Sequence, residues 1–275
     1  MKPAPFDYYR PKTVSEACGL LSEMQGDGRV LAGGQTLIPT LAMRIASPDA
    51  LIDISRVEGF DVIRQERDEL VVAAMVRQSD LEQALFQDFR QPVLSAILPW
   101  VAHPPIRHRG TVCGSLAHAD PSAEIPLALV TLGGRLLVRG SKKERYISAS
   151  EFFLGTLQTS LDPDELILQA HFPLLGPEAR IGFSEFGYRS GDFAVTSVLV
   201  IRDATGVRLG FGGIDDFPRT FEFPGLSEAG ELRAIVRKLS SELEVRSDPT
   251  APAAFRRHLM LVLSNQAICQ AWEEN

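Results

Sequence analysis

Ala32-Gly33-Gly34-Gln35-Thr36 and Thr111-Val112-Cys113-Gly114-Ser115 are the two stretches that say most about the fold of this chain. Each lies where a strand is predicted to give way to another element, and each places bare backbone N–H groups beside a hydroxyl side chain. Such amides can hold a diphosphate without cationic side chains. Two of them in one acidic chain predict a nucleotide cofactor that is held from both ends.

The first stretch lies inside a predicted strand-turn-helix-strand unit. Thr13-x-x-Glu16 is a capping box ahead of apolar residues at helical spacing, which predicts a helix that ends near Gly26. The unit continues with a strand at residues 29–32, a helix at 37–45 and a strand at 50–54. This frame places glycine amides at a helix start, where the dipole also favours a phosphate. A plain strand-to-helix turn is the alternative interpretation.

The middle of the chain mixes predicted strands and helices. A hairpin is expected over residues 58–77, and Ser79-x-x-Glu82 is a second capping box that predicts a helix to about Phe89. Prolines make residues 103–110 a loop. Further elements are expected as helices at residues 92–98 and 124–132, and as strands at 135–138, 144–147 and 166–172.

Beyond residue 174 the pattern changes, and Leu174-Leu175-Gly176-Pro177-Glu178 is the predicted boundary. Three antiparallel strands are expected first, and two helices follow them. Strands followed by helices are typical of a small α+β domain. The strands are predicted at residues 181–188, 195–201 and 207–212, and the helices at 229–239 and 249–272.

Composition excludes several classes of function. The 275 residues carry 28 Lys and Arg against 35 Asp and Glu, a formal net charge of −7, which argues against nucleic acid or an anionic membrane as the main partner. The longest apolar runs are too short for a membrane span, and no secretory signal is recognised at the N-terminus. We therefore expect a cytoplasmic protein without a membrane span.

The cysteines and histidines predict no metal site on this chain. Cys18, Cys113 and Cys269 are scattered and form no C-x-x-C pair, so cysteines alone cannot ligate an iron–sulfur cluster or a zinc ion here. The five histidines lack metal-ligand spacing. Nucleophile, zinc-protease and P-loop motifs are also absent, so no catalytic side chain is assigned.

The second stretch runs into Leu116-Ala117-His118-Ala119-Asp120-Pro121-Ser122-Ala123-Glu124, a series of small, hydroxyl and acidic residues. Small side chains over this length fit backbone that lies close to a flat or extended ligand. Glu124 could accept a hydrogen bond from a ribityl or ribose hydroxyl; the alternative is an acid favoured by the helix dipole. Cys113 is expected to be a small buried side chain, and Arg107 and Arg109 to lie in a solvated loop.

Residues 32–39 and 111–121 resemble the two FAD-binding signatures of the flavoprotein, or medium, subunit of molybdenum hydroxylases, the group of xanthine dehydrogenase and carbon monoxide dehydrogenase. The similarity covers nearly the whole chain. Other segments recur at the family's order and spacing: Glu151–Gly155, Leu161–Glu165, Phe183–Glu185, Arg189–Ala194 and Ala253–Arg257.

The resemblance implies an α+β fold. A two-lobed FAD-binding domain of the PCMH type would span residues 1–175, with lobes of about 1–57 and 58–175. A smaller C-terminal α+β medium-subunit domain, with a three-stranded antiparallel sheet and helices, would span 176–275.

The resemblance also implies which residues bind FAD. The diphosphate would rest on the amides of residues 33–36, and Thr111, Gly114 and Ser115 would contact the cofactor from the other lobe. Glu124 would lie on the FAD sugar. Val101, Ile167 and Glu185 would contact the adenine or isoalloxazine region. The chain departs from the family at Cys113, which is usually glycine, and at Glu185, where lysine is common. The implied cofactor-binding residues are Ala32, Gly33, Gly34, Gln35, Thr36, Val101, Thr111, Gly114, Ser115, Glu124, Ile167 and Glu185.

The function implied by this resemblance is electron transfer through FAD. A large subunit would oxidise substrate at molybdopterin, a small subunit would carry two [2Fe–2S] clusters, and this chain would pass electrons to an external acceptor. The expected assembly is a dimer of heterotrimers. Two alternatives stay open: a self-contained flavin oxidase or dehydrogenase, and a nucleotide-binding regulatory module.

Overall fold

In the computed structural model, which describes residues 2–273, a small parallel sheet and two helices form the N-terminal lobe. The strand order is β1-β3-β2. Helix α1 begins as its capping box predicts, because Glu16 N–H donates to Thr13 Oγ1 at 3.2 Å and Glu16 Oε2 accepts from Lys12 N–H at 2.9 Å. The elements are β1 (Asp7–Tyr9), α1 (Val14–Glu23), β2 (Gly28–Leu31), α2 (Leu37–Ala42) and β3 (Ala50–Asp53).

The second lobe is built on an antiparallel sheet of five strands in the order β4-β5-β10-β6-β7, with helices against one face. Its first part comprises β4 (Ile63–Glu66), β5 (Glu69–Ala73), α3 (Gln78–Gln87), α4 (Pro92–Ile97), α5 (Pro104–Arg107), α6 (Val112–His118) and α7 (Glu124–Leu132). Its second part comprises β6 (Arg135–Arg139), β7 (Glu144–Ser148), α8 (Ala149–Phe152), β8 (Phe153–Gly155), β9 (Gln158–Thr159) and β10 (Leu166–Pro173).

Three local predictions in this lobe were wrong. Helix α3 begins after Arg77, so Ser79 is not its N-cap, and Glu82 reaches Arg107 instead of closing a capping box. The proline-rich loop contains the short helix α5. The predicted turn at residues 111–115 is the first turn of α6, because Thr111 caps that helix.

The C-terminal sheet has four antiparallel strands rather than the three that the sequence predicts. The missed strand, β14, lies at the edge of the sheet and is bordered by Pro218 and ends at Pro224. Prolines are tolerated at an edge because no neighbouring strand needs their missing N–H. The elements are β11 (Arg180–Phe186), β12 (Thr196–Asp203), β13 (Gly206–Gly212), β14 (Arg219–Pro224), α9 (Ala229–Glu242) and α10 (Ala253–Trp272).

This third sheet packs between α7 and α10. A side chain on Gly210 would overlap Thr131 of α7, and one on Gly182 would overlap the Ala267 carbonyl of α10, so both faces of the sheet are covered closely. Phe183 and Leu199 share one hydrophobic core with residues of the second lobe. The predicted boundary at residues 175 and 176 falls between β10 and β11, and a division into two domains there stays a prediction.

Candidate cofactor site

The first glycine stretch leaves four consecutive backbone amides without a partner. After β2 the chain turns at Gly34, which has φ +70°, a conformation that glycine adopts without strain. Among residues 2–273, no acceptor receives a hydrogen bond from the amides of residues 33–36. Their residues are exposed or partly exposed. The loop therefore presents the row of N–H donors that its sequence predicts.

The second glycine stretch is organised differently from its prediction. Thr111 is buried, and its Oγ1 accepts from the Gly114 N–H at 3.1 Å. Gly114 therefore does not offer a bare amide, because the helix cap uses it. The Ser115 amide donates to the Thr111 carbonyl at 3.1 Å. Gly114 and Ser115 are nonetheless partly exposed at the start of α6.

The two stretches lie next to each other, although 74 residues lie between them in the sequence. A Cβ on Gly33 would overlap the carbonyl oxygen of Arg109 and would lie 2.8 Å from the Cα of Gly110. Arg109 and Gly110 immediately precede Thr111. The unpaired amides of the first lobe thus lie beside the N-terminus of α6 in the second lobe.

Gln78 is a buried polar residue at this junction that the sequence analysis missed. Its backbone N–H donates to the Gly110 carbonyl at 2.9 Å. Its side-chain Oε1 is buried and has no partner among the described residues. A Cβ on Gly110 would lie 3.1 Å from that Oε1. Nothing in the local sequence around Gln78 marks it, because its role comes from a neighbour 32 positions away.

Arg107 fixes the segment that carries Val101. Its Nη1 donates to the carbonyls of Val101 at 3.1 Å and Ala102 at 3.3 Å, and its Nε donates to Glu82 Oε2 at 3.1 Å. Ala102 has φ +46°, in the left-handed region that non-glycine residues adopt at a cost. The expectation that Arg107 lies in a solvated loop was therefore wrong, because its guanidinium is buried.

Glu124 and Glu185 form a second group of candidate residues. Glu124 begins α7, and Glu185 lies on β11 of the C-terminal sheet, against which α7 packs. Glu124 is the first residue of α7 and is only 4% exposed. Burial raises the pKa of both carboxyls, and burial followed by the charge of Glu124 raises the pKa of Glu185 to about 8. Glu185 Oε2 is buried without a partner among the described residues.

Two other predicted residues lie deeper. Val101 follows the turn Leu98–Trp100 and is 7% exposed, and Ile167 on β10 is 4% exposed within the main core. Cys113 is buried as expected; its Sγ donates to the Val72 carbonyl at 3.7 Å, and burial raises the pKa of its thiol to about 12. Cys113 is therefore not a reactive thiolate. No cluster of metal-ligating side chains occurs within residues 2–273.

These groups fit the chemistry of FAD. Unpaired amides at residues 33–36 suit a diphosphate, which needs donors. The unpartnered oxygens of Gln78 and Glu185 and the Glu124 carboxyl suit hydroxyl or amide donors of a nucleotide. Which atoms of FAD each predicted residue contacts stays a prediction.

Comparison with known proteins agrees with this chemistry. A family profile described as the FAD binding domain in molybdopterin dehydrogenase matches residues 4–175. The caffeine dehydrogenase subunit beta of Pseudomonas sp. (strain CBB1) is 33% identical, over 98% of this chain and 96% of that protein. The nicotine 6-hydroxylase medium subunit of Paenarthrobacter nicotinovorans is 32% identical, over 98% of this chain and 99% of that protein.

A solved structure shows the same fold over the whole chain. It is carbon monoxide dehydrogenase from Hydrogenophaga pseudoflava, in a form that lacks the Mo-pyranopterin moiety of the molybdenum cofactor. The TM-score is 0.93 at 27% identity, and the match covers 100% of this chain and 99% of the other. The resemblance inferred from the two glycine signatures and the PCMH-type fold are thereby confirmed. This chain belongs to the FAD-binding medium subunits of the molybdenum hydroxylase family, which are FAD-dependent oxidoreductase subunits.

Proposed function

We propose that this chain is the electron-transfer subunit of a molybdenum hydroxylase complex. It would take electrons from the [2Fe–2S] clusters of a small subunit and deliver them from FAD to an external acceptor. A large molybdopterin subunit would oxidise the substrate. The observation that carries this proposal is the row of unpaired amides at residues 33–36, which the contact between Gly33 and Arg109 holds against the second lobe.

The residues of this chain would bind and orient the cofactor rather than react with the substrate. When bound, FAD supplies the redox chemistry by accepting and releasing electrons. The amides of residues 33–36 would hold its diphosphate, and Glu124 would accept a hydrogen bond from one of its hydroxyls. Gln78 Oε1, which is buried at the junction, offers one further acceptor. Thr111 would hold the first turn of α6 in place through its bond to Gly114.

Arg107 would keep Val101, a predicted contact of the adenine or isoalloxazine region of FAD, in position. It ties two carbonyls of the turn after residue 100 to Glu82 of α3, so the backbone around Val101 has one arrangement. The apolar Val101 side chain would then exclude water from the part of FAD that it contacts. No described side chain is required as an acid, base or nucleophile in this scheme.

The proposed partners follow from what this chain lacks and from its relatives. Its three cysteines are separate from one another, so the iron–sulfur clusters would belong to another chain. The relatives are named as subunits of dehydrogenases or hydroxylases of caffeine and nicotine, and the substrate here would likewise be decided by a partner. We propose a dimer of heterotrimers in the cytoplasm. No helix within residues 2–273 has the length and apolar character of a membrane span.

Co-purification with the partner chains tests this proposal. A complex with an iron–sulfur chain and a molybdopterin chain, with one FAD per copy of this chain, is the expected result. Substrate should bleach the flavin only when all three chains are present. Rapid bleaching by a small organic substrate in the isolated chain would instead support a self-contained flavin enzyme. A colourless protein that binds ADP but not FAD would support a regulatory module.

A further inference from the structure

Glu124, which is buried, and Glu185, which is partly buried, act on each other, and no cation among the described residues acts on either carboxyl. Glu185 lies on β11 opposite Ser197 of β12, so the two side chains point to the same face of the sheet. The next strand places Gly212 opposite Ser197, and a Cβ on Gly212 would lie 3.5 Å from Leu127 of α7. This face of the sheet therefore lies under α7, whose first residue is Glu124.

The described groups around the two carboxyls do not balance their negative charge. Two charged groups act on Glu124: Glu185, and Asp120 in the loop before α7. The charged group that acts on Glu185 is Glu124. No lysine or arginine within residues 2–273 acts on either carboxyl. On β12, the polar side chain opposite Glu185 is Ser197, whose buried hydroxyl has no partner among the described residues.

Two carboxylates cannot both ionise at close range in a buried site without a counter-ion, so one proton remains between them. The pair shares this proton, so one carboxyl donates a hydrogen bond and the other accepts it. This arrangement leaves Glu124 with lone pairs for a further donor.

We propose that Glu185 is a positioning residue, whose shared proton holds the Glu124 carboxylate as the acceptor for a hydroxyl group of FAD. The inference rests on the proposed role of this chain as an FAD carrier. A protonated carboxyl can donate a hydrogen bond, which an ionised carboxylate cannot do. When the pair loses its last proton at alkaline pH, two facing carboxylates would repel each other and disturb the site.

Titration of FAD binding to the refolded apo-chain, followed by flavin fluorescence at neutral pH and at about pH 9, tests this inference. The wild-type dissociation constant should rise by up to about tenfold at the higher pH, because one proton is lost from the pair. Glu185→Gln keeps a donor and should bind FAD comparably at both pH values. Glu185→Met removes the donor and should bind more weakly at both. Glu58→Gln, at an exposed site, is the matched control and should behave as wild type.

Infrared difference spectroscopy of the apo-chain supplies a measurement that needs no flavin. Wild type should show the carbonyl stretch of a protonated carboxyl at neutral pH, and Glu185→Gln should lose that band while Glu58→Gln keeps it. No such band, or the same pH response of FAD affinity in wild type and Glu185→Gln, would overturn the shared proton. FAD that fails to bind at any pH would refute the proposed function instead, while the infrared band would still decide the question of the pair.

Discussion

Gly33 and Arg109 touch backbone to backbone, so closely that a methyl group on Gly33 would overlap the Arg109 carbonyl oxygen. This contact joins the two lobes at the point where the unpaired amides of residues 33–36 meet the start of α6. The two glycine signatures, distant in sequence, therefore lie side by side in the structure. A side chain at Gly33 would push them apart.

Gly33→Ala should separate the lobes locally and weaken FAD binding. The added methyl group meets backbone, which cannot move aside cheaply, so we expect a loss of about 1–3 kcal/mol in the free energy of unfolding. The flavin-to-protein ratio by absorbance and urea unfolding measure the two effects. Gly19→Ala in α1 is the control: nothing lies within 4 Å of its Cβ, and it should stabilise the chain by roughly 0.5–1 kcal/mol. Full flavin content in Gly33→Ala would contradict the placement of the site.

The pair Thr111 and Gly114 should show strong coupling in a double-mutant cycle. Thr111→Ala removes the cap and should cost about 1 kcal/mol of stability. Gly114→Ala places a Cβ 2.5 Å from Thr111 Oγ1, so it should also destabilise the protein. In the double variant this clash is gone, and the combined loss should be smaller than the sum of the single losses. Strict additivity in urea unfolding would show that the two residues act independently.

The same contact decides how a larger side chain at Gly114 would act on the site. A valine there could fill space that the diphosphate needs, or it could disturb the helix cap. The structure shows that a side chain at this position first meets the Thr111 hydroxyl, and so disturbs the helix cap.

Arg107→Met should destabilise the turn around Val101 and alter the environment of the flavin. The loss leaves two carbonyls and Glu82 without their donor, which should cost about 1–3 kcal/mol; Glu82 is partly exposed, so solvent screens part of its charge. Because Val101 is predicted to contact the adenine or isoalloxazine region, a visible circular dichroism of bound FAD that changes as well would indicate a contact with the isoalloxazine ring. Arg109→Met is the control, since this neighbouring side chain is exposed, and it should change stability by less than about 0.5 kcal/mol. Equal spectra in both variants would argue against the positioning role of Arg107.

Sequence alone predicts those features that neighbouring residues create. The cap at Thr13, the turn at Gly34 and the helix that starts at Glu124 depend on residues a few positions apart, and each occurs in the structure. The family signatures add the order of the cofactor segments. These local and familial signals were sufficient to predict the cofactor class.

Features that depend on distant partners were missed. Arg107 was assigned to solvent because its partner Glu82 lies 25 positions earlier, on a helix whose start was misplaced by the apparent capping box at Ser79. The position of Gln78 at the junction depends on Gly110, which lies beside it in the fold but not in the sequence. Strand β14 was missed because its bordering prolines suggest a loop until its edge position in the sheet is known.

The carboxyl pair predicts that the fold itself loses stability as the pH rises. Burial raises the pKa of Glu124 and Glu185 in the folded chain, whereas both residues titrate near the ordinary range in the unfolded chain. Between that range and about pH 8 the folded chain therefore binds more protons than the unfolded chain, so stability falls with increasing pH. Over the range in which the folded chain binds one proton more than the unfolded chain, the unfolding equilibrium constant should rise about tenfold per pH unit. Glu185→Gln removes one titrating group, so its urea midpoint should exceed that of wild type at alkaline pH and approach it at acid pH. A constant difference between the two proteins across the pH range would show that the substitution acts through packing and not through the proton.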